Sequence, residues 1–235
     1  MSNGTLYGVG LGPGDPGLIT LRAAELIRAA QVLAYPARPG EPSMARAIAA
    51  GLIPEGVEEI VMEVPMTPAR APAQAAYDSG ADRIAEALEN GRDVVCLCEG
   101  DPLFYGSFMY LQARLAARFT VQIVPGVTSV SAAAARAGRA LVARNQRLEV
   151  LPGPLPDDAL RARLREGADT IVILKVGRHL RRIRALLGGM GLMKQALYIE
   201  RATLPGEVIL PLADAPGEAP YFSLILITKG EDPWL

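Results

Sequence analysis

Chemistry is most concentrated in Cys98-Glu99-Gly100-Asp101-Pro102-Leu103-Phe104-Tyr105-Gly106-Ser107, which sets two carboxylates and a phenol around two glycines directly after the apolar run Asp93–Cys98. A run of that kind reads as a strand buried on both faces of a parallel sheet, and α/β folds place ligands just beyond such strands. In the turn, Gly100 lets a ligand approach the backbone, Asp101 offers an acceptor to hydroxyl or amine groups, and Pro102 fixes the exit of the chain. An ordinary strand-to-helix turn with Asp101 as helix cap is the competing reading. A second loop, Gly8-Val9-Gly10-Leu11-Gly12-Pro13-Gly14-Asp15-Pro16-Gly17, follows the first strand and from Gly12 onward fits the G-x-G-x-x-G spacing of dinucleotide sites. It carries two prolines, Asp15 would oppose a pyrophosphate, and Leu33-Ala34-Tyr35-Pro36 stands where an acidic residue should end the second strand. A glycine-rich wall beside a neutral or cationic ligand suits these residues better. The third loop is Pro125-Gly126-Val127-Thr128-Ser129-Val130-Ser131, where Thr128 or Ser129 can cap a helix or hold a ligand.

Strand patterns are predicted at 5–11, 31–35, 59–64, 93–98 and 121–124, with helical stretches between them, including one over 105–118. That alternation predicts a parallel sheet. Ala23, Leu26, Ile27 and Ala30 recur at helical spacing, giving one helix an apolar face for the sheet. The more charged segment 138–147 is expected to connect two domains, over residues 1–140 and 147–235. In the second domain, strands are predicted at 148–151, 170–175, 197–200, 207–210 and 221–228, with helices near 157–166 and 178–187. The late strands lack intervening helices, so a mixed sheet is expected there.

Composition removes several classes of function. With 24 basic and 25 acidic side chains among 235 residues, no global field favours nucleic acid or an anionic membrane. No charged leader precedes an apolar stretch, and no uncharged apolar run reaches the ~20 residues that span a bilayer, so a cytoplasmic protein without membrane partners is expected. The two cysteines, Cys96 and Cys98, are expected on opposite faces of one strand as core thiols of a reducing compartment, and no metal site is expected. The single histidine, His179, is flanked by Arg178, Arg181 and Arg182 and reads as an exposed helix residue. A triad or a two-histidine metal site would rest on it alone.

Taken together, the Gly-Val-Gly-Leu-Gly-Pro-Gly-Asp-Pro opening from Gly8, the Glu-Gly-Asp-Pro turn at Glu99, the Pro-Gly-Val-Thr-Ser loop at Pro125 and two later strand ends, Lys175-Val176-Gly177-Arg178 and Glu200-Arg201-Ala202-Thr203, resemble the tetrapyrrole (corrin/porphyrin) methylase family in order and over the whole chain. Within it, the continuation Leu103–Leu111 and the Lys175–Arg178 segment are most similar to the precorrin-2 C20-methyltransferases. The resemblance implies a two-domain α/β fold with the active site in a cleft. It also implies S-adenosylmethionine as cofactor, S-adenosylhomocysteine as product, a tetrapyrrole substrate (precorrin-2 or cobalt-factor II) and a homodimer. By position it implies cofactor contacts at Pro13, Gly100, Asp101, Phe104, Tyr105, Thr128 and Ser129, with backbone at Val176 and Ala202 meeting the adenine. Met near Val176 and Gly near Ala202 are the family's commoner residues. Glu99 and Tyr105 are the groups nearest by sequence that could take a proton from the substrate carbon. Arg178, Arg181 and Arg182, at i, i+3 and i+4, would form a basic face for the substrate's carboxylates. Two other readings stand beside this one: a non-catalytic cofactor-binding regulator, and an oxidoreductase using the first glycine loop for NAD.

Overall fold

The computed structural model describes residues 2–65 and 70–230. The chain divides into two units, Met1–Thr128 and Ser129–Leu235.

The first unit alternates strands and helices: β1 (Thr5–Gly10), α1 (Leu21–Arg28), β2 (Val32–Ala37), α2 (Met44–Ala49), β3 (Glu58–Glu63), α3 (Arg70–Glu89), β4 (Val94–Cys98), α4 (Phe108–Leu115) and β5 (Thr120–Val124). Its sheet runs β3-β2-β4-β1-β5, with every pairing parallel. Alternate residues of each strand serve two apolar layers, as the two-residue period requires. On one face Leu6, Val94 and Cys96 pack with Ile84 and Leu88 of α3 and Phe108 and Leu111 of α4. On the other, Val9, Leu33 and Leu97 pack with Ala23 and Ile27 of α1 and Ile48 of α2. The helix over α1 forms as its stripe predicts, and Thr20 caps it by accepting from the Ala23 N–H at 3.2 Å. Neighbouring strands β1 and β4 thus send their following helices to opposite faces. Their carboxyl ends are thus a topological switch point, the place where open α/β sheets bind ligands.

Two expectations change here. Cys96 and Cys98 lie on the same face, both in the layer beneath α3 and α4, because residues two apart in a strand point the same way. Both are free and buried, and the Cys98 thiol donates to the Cys96 carbonyl at 3.6 Å. The helix expected from Tyr105 starts instead at Phe108 and ends at Leu115. Asp101 draws the Leu103 and Phe104 N–H groups into a turn, and Tyr105 adopts φ +56°, so helical geometry cannot begin earlier.

The second unit contains α5 (Ser129–Arg136), β6 (Leu148–Pro152), α6 (Asp157–Arg165), β7 (Thr170–Leu174), α7 (Leu180–Gly189), β8 (Ala196–Glu200), β9 (Val208–Pro211) and β10 (Ser223–Thr228). The sheet order is β6-β7-β10-β8-β9, parallel only between β6 and β7, which is the mixed sheet expected. Ile171, Ile173, Ile225 and Tyr198 face α6 and α7, while Val172, Leu174, Leu224 and Ile199 face Val130 and Ala133 of α5. Packing of α5 on this second sheet places the division one helix ahead of the segment 138–147. Among the described residues no helix is long and apolar enough to cross a membrane.

Candidate functional site

In the first unit the three loops singled out by sequence meet at the carboxyl ends of β1, β4 and β5. Gly10 pairs in register with Cys98, and Val9 with Val124, so the chain segments that follow start side by side. Gly12 and Gly100 then form an antiparallel bridge, with the Gly100 N–H donating to the Gly12 carbonyl at 2.8 Å and the Gly12 N–H returning at 3.2 Å. A Cβ on Gly126 would stand 2.0 Å from the Gly100 carbonyl oxygen, and one on Gly10 would stand 2.5 Å from the Gly126 nitrogen. Only glycine permits this approach. Gly100 itself, at φ +66°, has no atom within 4 Å of its Cβ direction, so the backbone there fronts open space.

Asp101 ties this junction together. Its Oδ1 accepts from the Leu103 and Phe104 N–H groups at 2.9 and 3.1 Å, and its Oδ2 accepts from the Gly126 N–H at 3.0 Å. The sequence offered a choice between a cap and a ligand acceptor. The structure shows the carboxylate gathering two loops, with the remaining lone pairs still able to accept. Phe104 and Tyr105 stand exposed beyond it with their rings edge to face, centroids 5.2 Å apart. A tyrosine at φ +56° costs roughly 1–3 kcal/mol, a cost that concentrates at functional turns. Glu99 occupies the same turn, and burial pushes its carboxyl above the ordinary carboxylate range, opposed by the Ala45 N–H. Pro13 is partly exposed after the bridge, Thr128 ends this unit, and Ser129 is the first residue of α5 in the other. The dinucleotide fit weakens further. Asp15 Oδ1 takes the Gly17 N–H at 2.8 Å to cap a 3-10 turn, and α1 begins only at Leu21.

In the second unit, β10 runs antiparallel between β7 and β8, so its first residues adjoin the last residues of both neighbours. This brings Val176, fully buried, and Ala202 to one rim of the sheet. The rim is strained: Lys175, Arg201 and Thr203 have φ of +57°, +49° and +69°. For a β-branched threonine that value is a true outlier. Ser223, which the sequence reading missed, holds the rim by accepting from the Gly177 N–H at 3.3 Å and donating to the Pro220 carbonyl at 2.8 Å. Its signal in the sequence is a small polar residue heading the buried run Leu224-Ile225-Leu226-Ile227.

The arginine face is differently employed. Arg181 Nε donates to the Gly217 carbonyl at 2.8 Å, Arg182 bonds Asp157 and the Gly153 carbonyl, and exposed Arg178 points its Nε at His179 Nε2, 3.4 Å away. Two of the three therefore brace neighbouring loops. His179 lies in a short 3-10 turn and is partly buried, with burial and then the charges of Arg182 and Arg178 lowering its pKa. No group of three or more potential metal ligands occurs among the described residues.

A parallel sheet with a glycine-lined switch point in one unit and a mixed sheet with a strained strand-end rim in the other define a two-unit α/β protein. Residues 5–216 match the model of the Tetrapyrrole (Corrin/Porphyrin) Methylases, and the chain belongs to that family. It is 41% identical to a Sinorhizobium precorrin-2 C(20)-methyltransferase over 97% of both chains, and 35% identical to a Salmonella typhimurium cobalt-precorrin-2 C(20)-methyltransferase with the same coverage. It is 45% identical to the Mycobacterium tuberculosis cobalamin biosynthesis protein CobIJ, across 97% of this chain and 47% of that one, so it spans about half the length of that relative. Among solved structures, uroporphyrin-III C-methyltransferase from Thermus thermophilus complexed with S-adenosyl homocysteine aligns at TM-score 0.69 and 26% identity, over 96% of this chain and 98% of that one. A cobalt precorrin-4 methyltransferase aligns at TM-score 0.72 and 25% identity, over 95% and 94%.

Proposed function

We propose that the chain transfers the methyl group of S-adenosylmethionine to C20 of precorrin-2, or of its cobalt-loaded counterpart, in cobalamin synthesis. The observation that carries this reading is the 41% identity, end to end, with the Sinorhizobium C20-methyltransferase. The sulfonium supplies an electrophilic methyl group, so the acceptor needs only an electron-rich carbon held in line behind it, at roughly 3–3.5 Å. Positioning is then the chief task of the chain, which agrees with a sequence holding one histidine.

The open backbone at Gly100 suits the amino-acid and ribose end of the cofactor, with Asp101 fixing the turn and offering its spare lone pairs. Phe104 and Tyr105 give apolar cover, and Pro13, Thr128 and Ser129 complete the contacts the family resemblance implies. Backbone at Val176 and Ala202 meets the adenine. Glu99 is the group we assign to take the proton released from C20, because its burial raises its proton affinity. Arg178 is the arginine we retain for a substrate carboxylate, since Arg181 and Arg182 are engaged elsewhere. We assign the working form as a homodimer in the cytoplasm, supported by the family resemblance and by two free thiols.

Incubation with labelled S-adenosylmethionine and each form of precorrin-2 tests the reading. One added methyl, located at C20 by NMR, is expected. Addition at another carbon refutes the C20 assignment and keeps the methylase, whereas adenosylhomocysteine binding with no transfer to any early corrinoid precursor points to a regulator. Tyr105→Phe should lower turnover more than cofactor affinity if the hydroxyl orients the substrate. Equal, small effects would reduce Tyr105 to packing.

A further inference from the structure

We infer that Ser223 is a positioning residue for the cofactor, acting through the Gly177 N–H to hold the Val176 backbone in its binding geometry. The inference rests on the proposed adenine contact at Val176. Ser223 is buried, 6% exposed, and it lies on the sheet face that carries the apolar layer of α6 and α7. Directly opposite it in register is Glu200, and next along the same face are Tyr198 and Ile225. The Tyr198 phenol, itself without solvent exposure, donates to Glu200 Oε2 at 2.7 Å. Serine, tyrosine and glutamate thus make a polar plug at the strand-end rim of an otherwise apolar layer. Buried groups of this kind are costly unless satisfied, and these are satisfied.

What the plug secures is the segment after β7. Gly177 sits at φ +30°, and Lys175 at φ +57°, a conformation that in a residue with a side chain persists only where the surroundings over-determine it. Among the bonds that hold it are the Gly153 N–H to the Leu174 carbonyl at 2.7 Å, the His179 N–H to the Val176 carbonyl at 2.7 Å, and the Gly177 N–H to Ser223 Oγ at 3.3 Å. The first two are backbone bonds that survive any substitution. Of these three, the third depends on a side chain, and through its bond to the Pro220 carbonyl the same hydroxyl anchors the approach to β10. Without it, a partly buried donor and a partly buried acceptor both lose their partner, and the turn relaxes toward ordinary φ values.

Calorimetric titration of S-adenosylhomocysteine into the full chain, at a temperature where melting curves show every protein folded, tests this. Ser223→Ala should raise Kd about tenfold, the effect of losing one anchoring hydrogen bond. In turnover assays KM for S-adenosylmethionine should rise with kcat at saturation unchanged. Ser223→Thr, which keeps the hydroxyl, should restore affinity, a recovery that lowered stability alone would not produce. A folded Ser223→Ala with wild-type Kd overturns the inference and leaves the cofactor reading intact. If that variant does not fold, Ser223→Cys, similar in volume and a weaker acceptor, is read in the same way, and wild-type Kd there overturns it equally. Wild-type protein that binds no S-adenosylhomocysteine overturns the cofactor reading and this inference together.

Discussion

Replacing Asp101 with alanine removes the acceptor of three backbone N–H groups at once, and the structure sets the size of the effect. The bonds to Leu103 and Phe104 are exposed, so water takes their place and each costs about 0.5–1 kcal/mol. The bond to Gly126 is partly buried, so water replaces it less completely. Its loss costs about 1–2 kcal/mol, for a total near ~3 kcal/mol. In a chain of this length each kcal/mol moves Tm by about 2–4 °C, so Asp101→Ala should melt about 6–12 °C below wild type. Asp101→Asn keeps an acceptor for Leu103 and Phe104 but turns an NH2 toward the Gly126 N–H, and should fall between the two. Melting followed by circular dichroism, with and without S-adenosylhomocysteine, reads stability and cofactor stabilisation in one experiment. The ligand-induced rise in Tm should shrink in both variants, because the turn presenting Gly100 is no longer fixed. A folded Asp101→Ala that melts within about 2 °C of wild type refutes the idea that this carboxylate gathers the loops.

Gly126→Ala should cost at least as much, since backbone on both sides leaves the new methyl no place; soluble expression with unchanged Tm would contradict the close approach. Burial raises the pKa of Glu99, so its contribution to stability is present below its ordinary value of 4.5 and lost as pH rises through the folded-state pKa. Glu99→Gln should therefore raise Tm at pH 8 and leave it unchanged at pH 4, while slowing methyl transfer; a lower Tm at pH 8 would count against the burial argument. Glu207 has the opposite sign: Arg136 holds its carboxyl below 4.5, and the Thr203 N–H donates to it at 2.7 Å. Its stabilisation is present above 4.5 and lost as pH falls through the folded-state pKa, so the deficit of Glu207→Gln seen at pH 7 should shrink progressively as pH falls below 4.5. A deficit independent of pH would show that charge is not the cause.

The strands were legible because each is a short apolar run closed by glycine, proline or charge, and the parallel arrangement of the first sheet followed from their alternation with helices. The three glycine-bearing loops were legible as candidate binding segments because each follows a strand; close backbone approach requires glycine at Gly10 and Gly126, and a positive φ favours it at Gly100. Composition fixed less, and Cys96 and Cys98, expected on opposite faces, share one because residues two apart in a strand point the same way. Sequence alone determined the class of fold, the order of its loops and the family they resemble, all of which depend on local pattern. Only tertiary structure decided that Asp101 serves two loops, that α5 packs on the second sheet, that Arg181 and Arg182 brace neighbouring loops, and that Ser223 holds the strained rim at Gly177. Each of these depends on which groups distant in the chain meet across a sheet, and hydrogen-bond partners tens of residues apart leave no mark in the spacing of either segment.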